Sequence, residues 1–287
     1  MGEIENEKSL EQIQKVFHDP VLKVQYHHGD DFLVIEVNDT WMFRFPRSKA
    51  APEVLEVEIK FLPLFAPLSP VPVPEYVLHS PGFIGYRKIT GVWLTRQVLN
   101  ELPENRQLKI AQQLGGFLSA LHTFSVEQAR QLGMTEGWGG WRNEAYQRFR
   151  DNVLMRLSIA SRKNALRCLE AYFAWKYVPV VVHGDFYPHD HVLLDPARGE
   201  ICGVIDFGDI TLEDPAIDLK SLLQEFGEQY FQRILQHYTG KITEGLLQHL
   251  QTTIQASTLL EAVYDIQFGY PGRLAAHLRL IESQFGH

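Results

Sequence analysis

Cysteine is nearly absent. Cys168 and Cys202 are the only two in 287 residues, with no CxxC or metal-type spacing, which argues against a disulfide framework or a zinc site. Both are expected as buried, apolar thiols. No apolar run approaches the ~20 residues that span a bilayer. The opening segment MGEIENEKSLEQIQ is acidic and polar, with no basic stretch ahead of an apolar one, and Asn6 stands where a myristoylation pattern needs Ser or Thr. No membrane partner is expected, and the chain is expected in the cytoplasm. Basic residues are outnumbered, 27 Lys and Arg against 35 Asp and Glu, so the net charge of −8 disfavours nucleic acid as a partner. Mild acidity is compatible with a cationic small molecule and is also ordinary for solubility. Nothing suggests an internal repeat.

What remains is a globular composition, long enough for one large domain or for two lobes sharing a cleft. The first ninety residues read mainly as strands. Val21 to Pro46 holds three β-rich runs separated by turn signals at His28-Gly29-Asp30 and Asn38-Asp39, an antiparallel meander. Val54, Leu55, Ile59 and Leu62 then recur at helical spacing, and Pro63 and Pro67 are expected to end that helix. PVPVPEYVLHS and FIGYRKITG supply two more extended segments. From Gln107 to Thr123 the apolar spacing predicts a long amphipathic helix. A second helical stretch is predicted over about 144–175, and two or three more after Asp214.

Between the helices lies VPVVVHGDFYPHDHVLLDPARGEICGVIDFGD, a β-rich island with turns expected at Pro188 and Pro196. One apolar strand ends at His183-Gly184-Asp185, a polar loop brings in Asp190 and His191, and a later strand ends at Asp206-Phe207-Gly208-Asp209. Carboxylates at adjacent strand ends would converge. Phosphoryl transfer needs such a group, one carboxylate to orient the attacking hydroxyl and others to hold Mg²⁺ against nucleotide phosphates.

These residues resemble the signature of aminoglycoside phosphotransferases and their relatives, HGDxxxxN followed by a strand and an IDF or IDW segment. Protein kinases carry HRDxxxxN followed by DFG in the same arrangement. FRFPR, EIKFL, YRKITG, LGGFLSALH and EDPAIDL match in order as well, so the resemblance covers nearly the whole chain, closest to the 2″-aminoglycoside and macrolide groups. It implies an α+β, protein-kinase-like two-lobe fold. A nucleotide-binding lobe would span 1–88, with a linker at about 83–91, and a mainly helical catalytic and substrate-binding lobe would span 89–287. It also implies a phosphotransferase using Mg²⁺ and ATP or GTP on a small-molecule hydroxyl acceptor.

Carried over residue by residue, Asp185 is the catalytic base and Asp206 the main Mg²⁺ ligand. The expected Asn is missing. Counting five residues on from Asp185 reaches Asp190, whereas anchoring on VLLD aligns His191. Some relatives carry His there, but carboxylate oxygen suits Mg²⁺ better than imidazole. Both are retained as metal candidates. Arg44 takes the place of the family's phosphate-contacting Lys, with a planar fork replacing a point charge. Glu58 is its expected helix partner. Backbone amides around Gly29 and Asp30 would cover the phosphates, and main-chain groups of Arg87 and Ile89 would read the base.

For the acceptor, an aminoglycoside is the first expectation, with a macrolide or a choline- or homoserine-type alcohol as alternatives. A catalytically silent nucleotide-binding pseudokinase is the rival from outside enzymes. Acids that would receive a polycation are Asp209, Glu213, Glu225, Glu228, Glu261 and Asp265. Tyr264, Phe268 and Tyr270 would suit an apolar acceptor equally, and Trp138 with Trp141 would form a flap or local core. Asp218 is expected to brace the catalytic loop or cap a helix.

Overall fold

The computed structural model describes residues 2–29, 31–137, 140–242 and 245–286. In chain order the elements begin with α1 (Gly2–Val16), β1 (Val24–His28), β2 (Phe32–Val37), β3 (Trp41–Pro46), α2 (Ala51–Phe65), β4 (Tyr76–Ser80) and β5 (Phe83–Arg87). Then come β6 (Val92–Trp93), α3 (Arg96–Glu101), α4 (Glu104–His122), α5 (Val126–Gln131), α6 (Trp141–Arg148) and α7 (Ile159–Ala174). The chain continues with β7 (Val180–Val182), α8 (Pro188–His191), β8 (Val192–Asp195), β9 (Glu200–Val204) and β10 (Thr211–Glu213). Helices α9 (Ala216–Phe226), α10 (Glu228–Leu235), α11 (Leu246–Phe268) and α12 (Pro271–Phe285) complete it.

Two compact units divide these elements: residues 1–120 with 188–209, and residues 121–187 with 210–287. Within the first unit β6 pairs with β8, and the side chain of Gln113 of α4 receives the Ile201 amide at 2.9 Å. Gly91 immediately precedes β6, and a Cβ there would stand 2.7 Å from the Leu194 carbonyl, so only glycine fits.

In the first unit a five-stranded sheet runs β1-β2-β3-β5-β4, antiparallel throughout, as the meander requires. Its central strands are buried on both faces. Leu33, Ile35, Val37 and Phe43 pack with Ile13 and Phe17 from the N-terminal segment, while Phe32 and Ile84 pack with Ala51 and Leu55 of α2. Helix α1 escaped the sequence reading because its apolar residues are few, Ile4, Leu10, Ile13 and Val16, and Ile4 is exposed. α2 runs through Pro63 instead of stopping there, because a proline in the last turn forfeits a single late hydrogen bond.

The second unit has a core of Phe149, Leu169, Tyr172, Leu259, Val263, Ile281 and Phe285. The predicted stretch over 144–175 is interrupted. After α6 come a wide turn (Phe149–Val153) and a tight one (Leu154–Arg156), and α7 restarts at Ser158, whose hydroxyl accepts the Ser161 amide. Among the described residues four helices follow Asp214, where two or three were expected. No helix of the described residues is long and apolar enough to cross a membrane.

Candidate active site

In the first unit, Arg44 stands in the middle of β3, buried to 6% side-chain exposure. Its Nη1 donates to both oxygens of Glu58, at 2.9 and 3.0 Å, and Glu58 sits fully buried on α2. Tyr76 of β4 also donates its hydroxyl to Glu58 and lies 3.2 Å from Arg44 Nη1. The guanidinium packs over Phe32, 4.2 Å from the ring centre. Burial works against the Arg44 charge, yet Glu58, Tyr76 and Asp206 together hold it well above the ordinary guanidinium range. Burial pushes the Glu58 carboxyl up against the pull of Arg44, and pushes the neighbouring Tyr86 phenol up to about 12. Nothing in the motif spacing signals Tyr76.

The second arm of the same guanidinium reaches Asp206, Nη2 to Oδ1 at 3.4 Å. Asp206 follows β9 in a left-handed conformation, φ +64°, with its side chain 55% exposed. The next residue, Phe207, is fully buried and holds that turn in place. Its ring lies 6.4 Å from Phe61 and 6.2 Å from Phe65 of α2, and 6.4 Å from Phe117 of α4. Glu58 and Asp206 are thus fixed to one aromatic cluster as well as to one arginine.

His191 and Asp190 part company here. His191 ends α8 with its Nε2 3.9 Å from Asp206 Oδ2, and its carbonyl accepts the Ile205 amide at 2.9 Å. Asp190 is exposed and pairs with His189 at 3.5 Å. The structure therefore brings His191, and not Asp190, to Asp206. A Mg²⁺ ion needs one or two carboxylates, phosphate oxygens and water, not a ready cage. Asp206 suits it, and an imidazole suits it less well. Among the described residues no three His, Cys, Asp or Glu side chains gather as a metal cluster.

Gly29 and Arg87 stand in the same unit. The Gly29 amide donates to the Phe32 carbonyl at 2.9 Å, so it is spent inside the hairpin turn, while Asp30 lies outside the described residues. Arg87 pairs across the sheet with Trp41, and its guanidinium covers that indole at 4.1 Å. Ile89 packs its side chain on Gly203 of β9. Cys202 is only half-buried, contrary to the expectation for both thiols, and donates to the Thr90 carbonyl at 3.4 Å. Cys168 is buried, which pushes its thiol up to about 11.

Asp185 belongs to the second unit and follows β7, which pairs with β10 and not with the β6-β8-β9 sheet that precedes Asp206. The two carboxylates do not stand on adjacent strands, because β8 and β9 form their own hairpin and take β6 as the third strand. Asp218 of α9 organises the Asp185 loop. Its Oδ2 accepts the His183 amide at 2.8 Å and its Oδ1 the Gly184 amide at 3.1 Å, and His122 Nε2 lies 3.1 Å from the same carboxylate. Gly184 has φ +89°, a backbone state that favours glycine. The Tyr187 amide then donates to the Asp185 carbonyl at 3.0 Å. An Asp218→Asn substitution keeps one acceptor and turns an amide NH₂ toward a backbone donor. It is expected to cost about 1–3 kcal/mol of stability, the usual penalty for a buried donor left unmatched, measured by denaturant unfolding.

Three of the six acids expected to meet a cationic acceptor, Glu213, Glu261 and Asp265, have partners within the fold. Glu213 is fully buried in β10 and accepts the Asp214 amide at 3.0 Å. Asp265 is buried between Arg273 Nε at 3.1 Å and His277 Nδ1 at 2.6 Å, and His277 Nε2 reaches Glu261 at 2.9 Å. Both partners come from α12, eight and twelve residues beyond Asp265, a pairing that no spacing within α11 announces. The Tyr264 and Phe268 rings lie 4.3 Å apart, tilted by 32°, and Arg273 lies 5.1 Å from the Tyr270 ring. Asp209 and Glu228 are exposed and Glu225 is half-buried. Trp141 packs against the second core and donates to Gln267 at 3.3 Å, whereas Trp138 lies outside the described residues.

A family model described as "Phosphotransferase enzyme family" matches residues 24–248. Viomycin phosphotransferase of Streptomyces vinaceus is 25% identical over 262 residues, 88% of this chain and 88% of that protein. The solved GDP and kanamycin complex of APH(2″)-IIIa is similar with a TM-score of 0.85 at 25% identity, covering 96% of this chain and 97% of that one. A macrolide 2′-phosphotransferase, MphH from Brachybacterium faecium, shares the fold with a TM-score of 0.73 at 22% identity, over 95% of this chain and 96% of its own.

Proposed function

We propose a reaction for this chain on the premise that it belongs to the phosphotransferase enzyme family, whose model spans most of its length. It is a small-molecule kinase of the aminoglycoside and macrolide phosphotransferase type, with the kinase-like α+β fold. The proposed reaction transfers the γ-phosphate of ATP or GTP to a hydroxyl group. Asp185 accepts the hydroxyl proton and orients the oxygen for attack. Asp206 holds Mg²⁺, with His191 beside it. When bound, the ion neutralises charge on the phosphate oxygens. Arg44, steadied by Glu58, contacts the phosphates.

The observation that carries this reading is the reach of Arg44. One buried guanidinium touches the helix carboxylate Glu58 and the carboxylate of Asp206. A structural surface charge has no reason to be buried between two acids at the cost of desolvation. An ammonium is a single point and cannot occupy both ends of that fork. Arg44→Lys is therefore expected to raise the nucleotide KM at least about tenfold, one hydrogen bond to a charged group being worth ~1.5–3 kcal/mol. Initial rates across a nucleotide series measure it.

For the acceptor, an aminoglycoside is the first choice, supported by the likeness to the kanamycin-bound structure. A macrolide is the second, favoured by the Tyr264, Phe268 and Tyr270 rings and by the internal neutralisation of Asp265. A coupled assay of nucleotide turnover with Mg²⁺, over aminoglycoside, macrolide, choline and homoserine acceptors and with ATP and GTP, separates these. Acceptor-dependent turnover supports the kinase reading. Nucleotide binding without turnover on any acceptor overturns it in favour of a silent nucleotide-binding protein.

A further inference from the structure

α9 is buried on nearly every side, from Ala216 to Leu223 and again at Phe226. A helix in that position is expected to be apolar all round. Two of its buried residues are nevertheless charged, Asp218 and Lys220. Asp218 is accounted for by the amides and imidazole it receives. Lys220 is not. Its residue is 6% exposed, and its Nζ donates to the Tyr187 hydroxyl at 2.8 Å. The ammonium also lies 4.9 Å from the centre of the Tyr187 ring. Among the described residues no carboxylate lies within ion-pair distance of it. A methionine would fill the same space without burying a charge, so the ammonium opposes stability where it stands.

Tyr187 is two residues beyond Asp185 and donates its amide to the Asp185 carbonyl. The loop from His183 to Tyr187 is therefore gripped by α9 at both ends. Asp218 takes the amides before Asp185, and Lys220 takes the hydroxyl after it. We infer that Lys220 is a positioning residue for phosphate transfer. It acts through Tyr187, fixing the loop that carries Asp185 and placing a positive charge beside it. The inference rests on the phosphotransferase reading above. It assigns a role to a charge that packing alone disfavours.

The test compares Lys220→Met, Lys220→Arg and Tyr187→Phe in the full chain, with thermal melts beside steady-state kinetics. Lys220→Met is expected to melt at or above the wild-type temperature while kcat falls roughly 30-fold or more, with nucleotide KM within about twofold, the signature of an interaction felt in the transition state. Lys220→Arg is expected to restore most of the rate. Adding Lys220→Met to Tyr187→Phe is expected to cost less than about threefold more, because residues acting as a unit are not additive. Loss of melting temperature and kcat together in Lys220→Met, with no rescue by arginine, makes Lys220 structural and overturns the inference. An unchanged kcat, or additive effects, overturns it too. If Lys220→Met does not fold, a wild-type kcat in Tyr187→Phe overturns it and a reduced one at unchanged KM supports it. Wild-type turnover is read first, with each acceptor and with water alone. Nucleotide hydrolysis without transfer sinks the acceptor reading only, and the variants are then compared on hydrolysis. Absence of both sinks both.

Discussion

Asp185→Asn is expected to slow phosphate transfer by roughly 10²- to 10⁴-fold, the range that a positioned general base contributes. The loop itself should survive. Its backbone is held at the His183 and Gly184 amides, which donate to Asp218, and at the Asp185 carbonyl, which accepts the Tyr187 amide. Asn is nearly isosteric and can still hydrogen-bond to a hydroxyl, but it cannot take the proton. The loss should therefore fall on kcat, with nucleotide KM and melting temperature unchanged. Steady-state kinetics with saturating nucleotide measure it. Turnover within threefold of wild type would remove Asp185 from the role of base and leave orientation of the acceptor to other groups.

Asp206→Asn is expected to reduce turnover ~10³-fold or more, since charge neutralisation by a bound metal is worth several kcal/mol. An amide oxygen is a weaker partner for a hard cation than a carboxylate. The residual rate should rise with Mg²⁺ concentration well beyond the wild-type saturation point. Arg44 keeps its contacts with Glu58 and Tyr76 in this variant, so nucleotide affinity in the absence of metal should change little. Stability is expected to stay within about 1 kcal/mol, because Asn, like Asp, tolerates the left-handed backbone at this position. A rate profile against Mg²⁺ beside a thermal melt reads both. An unchanged Mg²⁺ dependence would move the metal role to another side chain.

Both acids, and the Arg44–Glu58 pair, were legible because each sits in a short motif with its own local backbone signal. An apolar strand precedes Asp185 and Asp206, alternation places Arg44 on its strand, and helical spacing carries Glu58. What the sequence could not reveal depends on contacts between distant segments. The two acids were expected on adjacent strands, but strand order depends on pairing between segments distant in sequence, and β8 pairs with β9 and β6. The choice between Asp190 and His191 was open in register counting. The last turn of α8 puts His191 Nε2 3.9 Å from Asp206 Oδ2, a placement that register counting does not contain. Tyr76 and Lys220 lie in no motif, and their partners are 18 and 33 residues away. The acceptor acids were read from charge alone. Charge on a helix says nothing about whether a neighbouring helix supplies the counter-ion, and here α12 does.

That last arrangement bears on how such a chain can change its chemistry over generations. Building a new anionic surface normally takes several substitutions that each bring an acid and each add repulsion to the fold. Here the acids are already in place, and Arg273, with 54% of its side chain exposed, is one of the groups that masks them. A single exchange at position 273 takes one partner from Asp265 and leaves its buried carboxylate on His277, so the local charge changes without any new acid.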